Sequence, residues 1–106
     1  MNISTSSSKI FSRRLKEARL EKGLSQKQLG ILAGIDEFVA SPRINRYEKG
    51  VHQASIEIVQ RLASVLNAPL AYFYTEDDDL AKVIIKWDTL SVEMRGQILS
   101  IVFGQN

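Results

Sequence analysis

Residues 24–50, LSQKQLGILAGIDEFVASPRINRYEKG, decide how this chain is read. Their spacing predicts two short helices joined by a turn. Leu24 points inward, and Ser25 followed three residues later by Gln28 makes an S-x-x-Q capping box. The helix expected over 26–33 carries Leu29, Leu32 and Ala33 as apolar positions, and Gly34 ends it. Gly30 in its middle costs roughly 1 kcal/mol against alanine. Simple tolerance or the close approach of another helix would each account for it. The second helix is expected from Pro42 to Lys49. Proline has a fixed φ and no N–H, which suits a first helical position. Ser41 before it is biased away from helical angles and serves as the N-cap. Asp36 is placed to cap a separate short turn over 37–40. Ile44, Tyr47 and Glu48 share one face, Arg43, Asn45, Arg46 and Lys49 point elsewhere, and Gly50 closes the helix.

Outward from this stretch the chain continues to read as helix. Residues 1–7 are Ser-rich, polar and aperiodic, and are expected to form a flexible tail. A first helix over 8–22 carries Phe11, Leu15 and Ala18 as one stripe, with Arg13, Arg14, Lys16 and Lys22 off it and Gly23 as its cap. After Gly50, Ser55 caps a helix over 56–66 whose buried stripe is Val59, Leu62, Ala63 and Leu66. Asn67 ends it, and Pro69 opens a short helix over 70–74. The acids Glu76–Asp79 follow no calcium-loop spacing, and acids there favour the start of the next helix, so capping is expected rather than a metal site. That helix, over 80–87, places Leu80, Val83, Ile84 and Trp87 at helical spacing. Ser91 caps the last, over 92–103, which is apolar over more than one stripe: Met94, Ile98, Leu99, Ile101, Val102 and Phe103. Such a helix must be covered on more than one side. No segment shows strand alternation of useful length, so the fold is expected to be all-α.

Composition narrows the function. The chain has 106 residues and no cysteine, which removes disulfides and sulfur-based zinc sites and fits a reducing cytoplasm. Its apolar runs are too short to span a membrane, and MNISTSSSK has no apolar segment of a secretion signal. The net charge of +2 divides unevenly, with residues 1–50 carrying +5 and residues 51–106 carrying −3. A basic half suits a polyanion binder, because each Lys or Arg set on a phosphate releases counterions. It would equally be an ordinary solvated surface. The single histidine, His52, has no partner in a catalytic pattern, and no nucleophile elbow, phosphate loop or zinc motif occurs. No catalysis, cofactor or metal is expected.

A helix-turn-helix presents its second helix to base edges while the first crosses the DNA backbone. Leu29, Ala33, Ile35, Ile44 and Tyr47 can supply its inner contacts. Gln26 and Lys27, at the start of the first helix of the pair, can grip phosphate. Arg43 and Arg46 can each make bidentate contacts to guanine, and Asn45 can read adenine if it faces the groove. Lys49 extends the basic edge.

Residues 13–74 resemble the phage-repressor/Cro (XRE-type) helix-turn-helix family. The segments RLKEARLEKGLSQKQLG, INRYEKG and IEIVQRLASVLNAPLAYFY carry the resemblance, with caps, core spacings and the E-x-G helix end in order. It implies a lambda-repressor-like five-helix DNA-binding domain over 8–74, followed by a two-helix extension over 75–106. It also implies that Gln26 contacts phosphate, that Ser41, Pro42 and Arg46 fall where the family reads bases, and that Arg19 and Glu48 form a buried ion pair. The chain departs from the family in two ways. It has about four extra residues between Gly34 and Gly50, assigned to 35–41, and it has Gly30 where alanine is favoured. The expected function is sequence-specific regulation of transcription, as a repressor bound to a palindromic operator in double-stranded DNA. A homodimer would form through Trp87, Met94, Ile98, Leu99, Ile101 and Val102. The alternative is an antitoxin-like interaction module whose C-terminal helices bind a partner protein.

Overall fold

The computed structural model describes the backbone of residues 3–104 and the side chains of residues 9–104. Among the described residues there are six α-helices and one 3-10 turn, and no strand. They are α1 (Ile3–Glu21), α2 (Gln26–Leu32), α3 (Glu37–Lys49), α4 (Ile56–Leu66), the 3-10 turn Leu70–Tyr74, α5 (Asp78–Trp87) and α6 (Val92–Phe103). Of the tail expected over 1–7, residues 1–2 lie outside the described residues and residues 3–7 already belong to α1.

Local signals set most helix ends. The Ser25 hydroxyl accepts from the Gln28 N–H at 3.0 Å, and the Gln28 amide oxygen accepts from the Ser25 N–H at 2.8 Å, which completes the capping box. Ser55, Asp77 and Ser91 accept in the same way from Ile58, Leu80 and Met94. Gly50 takes the left-handed conformation, φ 73°, and the Val51 N–H returns to the Arg46 carbonyl, which closes α3.

The start of α3 corrects the sequence reading. The helix begins at Glu37, with Asp36 as N-cap accepting from the Phe38 N–H at 2.9 Å, and it runs unbroken through Pro42. Ser41 is therefore a helical residue rather than a cap. Pro42 is exposed, so its ring sits on the solvent side and its missing N–H leaves only one helical hydrogen bond unmade. Residues 37–41 are held helical by packing, because Ala40 is fully buried against α2. The connection between α2 and α3 is correspondingly short, Ala33–Asp36. The residues assigned above to an insertion thus lie in an additional helical turn ahead of Pro42. At 3.6 residues per turn this preserves the facing of the helix almost unchanged, and three buried residues, Ala40, Ile44 and Tyr47, line its inner side.

That extra turn explains Gly30. A Cβ on Gly30 would stand 2.7 Å from the Ala40 Cβ and 3.0 Å from its Cα. Gly30→Ala is expected to destabilise the protein by about 1–3 kcal/mol, although helix propensity alone favours alanine by roughly 1 kcal/mol. Adding Ala40→Gly should recover part of the loss. Urea unfolding reads both variants, and a net gain from Gly30→Ala would refute the close-contact account.

Phe11, Leu15 and Ala18 of α1, Leu29 of α2, Ala33 just after it, and Val59, Leu62 and Leu66 of α4 share one buried core with Phe73. Phe11 packs against Phe73 with ring centroids 6.0 Å apart. Leu32 of α2 faces out instead, as do Leu80 and Val83 of α5, whose buried residue is Ala81.

Arg14 also departs from the expected solvated basic face. It is 3% exposed. Its Nε donates to the Thr75 carbonyl at 2.9 Å, its Nη2 to the Glu76 carbonyl and to Asp78 Oδ1, each at 3.0 Å, and its Nη1 to Glu17 at 3.1 Å. Its guanidinium also lies 5.6 Å from the Tyr72 ring centroid. Arg13 donates to the same Asp78 oxygen at 2.8 Å. Hydrogen bonds from Arg13 and then Arg14 hold the Asp78 carboxyl below its ordinary value of 3.8. The pairing is thus intact at neutral pH and is lost only as the pH falls below that value. Of the four acids, Asp77 caps α5 and Asp78 ties α5 to α1. No group of acids or histidine among the described residues could hold a metal.

Candidate nucleic-acid interface

The junction of α1, α2 and α3 is built on one chain of polar contacts. Arg19 grips Glu48 with two hydrogen bonds, Nε to Oε2 at 2.6 Å and Nη2 to Oε1 at 3.0 Å. Its third group, Nη1, donates to the Leu24 carbonyl at 2.9 Å and so fixes the turn that leads into α2. Gln26, the first residue of α2, donates from Nε2 to Glu48 Oε1 at 3.1 Å and to Asn45 Oδ1 at 3.2 Å. Both charges of the Arg19–Glu48 pair are buried, so their placement is rigid. The Gln26 and Asn45 amides are half-buried at the rim of this network.

The Gln26–Asn45 contact shows which flank of α3 lies beside the start of α2. Helical spacing places Phe38, Ser41, Pro42, Asn45 and Lys49 on that outer stripe, at i, i+3, i+4, i+7 and i+11, opposite the buried Ala40, Ile44 and Tyr47. Arg46 is exposed at its margin. Among the described residues the side chains of Arg46, Lys49 and Lys27 have no hydrogen-bond or ion-pair partner. Lys27 is exposed beside Gln26. Arg43, two residues before Asn45, is turned about 200° around the helix and is half-buried on the opposite flank. The structure thus brings Gln26, Asn45, Arg46 and Lys49 toward one surface, keeps Ser41 and Pro42 in the second turn of α3, and leaves Arg43 apart. Sequence reasoning passed over Phe38 and Val39, which stand exposed in the first turn of the helix. The signal was the aspartate two residues before Phe38, which caps the helix six residues upstream of the proline.

A short helix pair with a locked crossing, an amide at the first helix start and a polar outer face on the second defines a helix-turn-helix DNA-binding unit. A helix-turn-helix family profile matches residues 15–73, and the chain belongs to that XRE-type family of DNA-binding transcriptional regulators. It is similar to uncharacterized HTH-type transcriptional regulators from Sinorhizobium medicae and Rhizobium meliloti, each 30% identical over 63 residues. The match takes in 59% of this chain and 42% of each relative, so the chain spans less than half the length of these relatives. The crystal structure of the transcriptional regulator BswR is similar over 89% of this chain and 93% of that one, with 41% identity and a TM-score of 0.81. Family and fold are those of transcriptional regulators. No helix among the described residues is long and apolar enough to cross a membrane.

Proposed function

We propose that two copies of this chain pair through α5 and α6 and repress transcription from a palindromic operator. One α3 enters each of two successive major grooves, about 34 Å apart. The observation that carries this reading is α6. None of its residues is buried, and Val92, Ile101, Val102 and Phe103 are all more than 60% exposed. Met94 and Leu99 are exposed as well, while Ile98 and Trp87 are half-buried, the Trp87 ring lying under Arg95. Leu80 and Val83 of α5 are exposed too.

The whole molecule carries the surplus. Its accessible surface is 7226 Å², whereas a compact chain of this mass exposes about 6000 Å². Its radius of gyration is 15.6 Å, against about 13 Å for a compact domain of this length. A second copy is the occupant that also supplies the second α3 a palindrome requires. Repression is the simplest output of such a dimer, since occupying a promoter suffices to block it.

Sedimentation of the intact chain and of a chain ending at residue 78 tests the pairing. The intact chain is expected at twice its monomer mass and the truncated one at its monomer mass. Equal monomer masses would remove the dimer and favour the antitoxin-like reading, in which α6 captures another protein. Selection of bound sequences from a random DNA pool gives half-site identity, spacing and symmetry. A reporter driven from a promoter carrying the selected site then reads the direction of control.

A further inference from the structure

Phe38 stands 85% exposed in the first turn of α3. The turn is not frayed, since Asp36 accepts from the Phe38 N–H at 2.9 Å. Phe38 heads the outer stripe that continues through Pro42, Asn45 and Lys49, and the exposed Val39 and Pro42 flank it. A single exposed apolar residue is ordinary on a protein surface. The weight here comes from place, because the N-terminal residues of a groove-entering helix are those that meet base edges. The charged neighbours, Asp36 and Glu37, are carboxylates, which repel phosphate. The tip is therefore unsuited to gripping the DNA backbone and suited to the floor of the groove. The apolar feature on that floor is the C5-methyl group of thymine, against which an aromatic ring packs.

We propose that Phe38 is a specificity-determining residue that recognises the C5-methyl group of one thymine in each half-site. The extra turn of α3, locked by Ala40 against Gly30, supports the ring in that position. The inference rests on the entry of α3 into the major groove, and the experiment separates the two.

DNA selected by the intact protein is resynthesised with each thymine in turn replaced by deoxyuridine, which lacks only the methyl group and pairs identically. At one position per half-site the affinity is expected to fall about fourfold, and about sixteenfold when both half-sites are changed, the factor for uncovering one methyl-sized group. Phe38→Ala, at an exposed site that leaves the core intact, should bind the thymine-containing site about tenfold more weakly per half-site, or about a hundredfold for the dimer, and no longer distinguish thymine from uracil. Phe38→Leu should retain part of the discrimination. Three outcomes overturn the proposal. The intact protein binds its selected DNA specifically yet ignores uracil at every position; Phe38→Ala keeps the full thymine preference; or Phe38→Ala dissociates the dimer, which would assign the ring to a protein contact. If the random pool yields no preferred sequence at all, the groove reading itself falls, and the role of Phe38 with it.

Discussion

Glu48→Ala will lower the stability of the folded protein by about 3–5 kcal/mol. The carboxylate accepts both hydrogen bonds from Arg19 and one from Gln26. Removing it strands a buried guanidinium whose remaining described hydrogen bond goes to the Leu24 carbonyl. A domain of this size has only about 5–15 kcal/mol to lose, so the variant should unfold at far lower urea and populate unfolded chain at growth temperature. The same physics predicts a contrast. Arg19→Met together with Glu48→Leu strands no charge and should cost much less than either single loss. Urea midpoints of the three variants decide it. A loss below about 1 kcal/mol for Glu48→Ala would mean that water reaches the pair and that it does not fix the helix crossing.

Asn45→Ala is expected to give the largest change in DNA recognition. Gln26 holds the Asn45 oxygen at 3.2 Å and so orients the amide before DNA arrives. An oriented asparagine makes the paired contacts that distinguish adenine, worth about 1–3 kcal/mol, or about 5- to 150-fold per half-site. In the proposed dimer the loss counts twice. Gln26 retains Glu48 in the variant, so the junction stays in place. Lys49→Ala supplies the comparison. It should weaken binding to all sequences alike and reduce the salt dependence by about one ion per protomer. Competition binding at two salt concentrations, with the selected site and with each of its single-base variants, separates them. If Asn45→Ala weakens every sequence equally and leaves the preferences intact, Asn45 does not read a base.

The sequence made most of the fold legible because most helix ends are local events. The Ser25 box, the Ser55 and Ser91 caps and the left-handed Gly50 each depend on side chains within a few residues. The start of α3 was misread because Pro42 and Ser41 carry strong local preferences that packing overrides. Ala40 seated on Gly30 holds the preceding turn helical, and that contact joins residues on two different helices. Arg14 was illegible for a similar reason. It looked like one more base on a polar face, yet its partners lie more than sixty residues away at Thr75, Glu76 and Asp78. Of the candidate interface, residue type and resemblance pointed to Gln26, Asn45, Arg46 and Lys49, and only the phase of the longer helix places Arg43 on another flank and Phe38 at the head of the outer stripe.

The clasp between Arg13, Arg14 and Asp78 has a mechanical consequence. It ties the first residue of α5 to α1, so that the C-terminal extension starts from a fixed point on the domain. In the proposed dimer the two heads are then the jaws of a caliper with a fixed gauge. One added base pair between half-sites turns the second away by about 34°, and a stiff frame has no slack with which to follow. Such a protein would measure the distance between two words as strictly as it reads their letters.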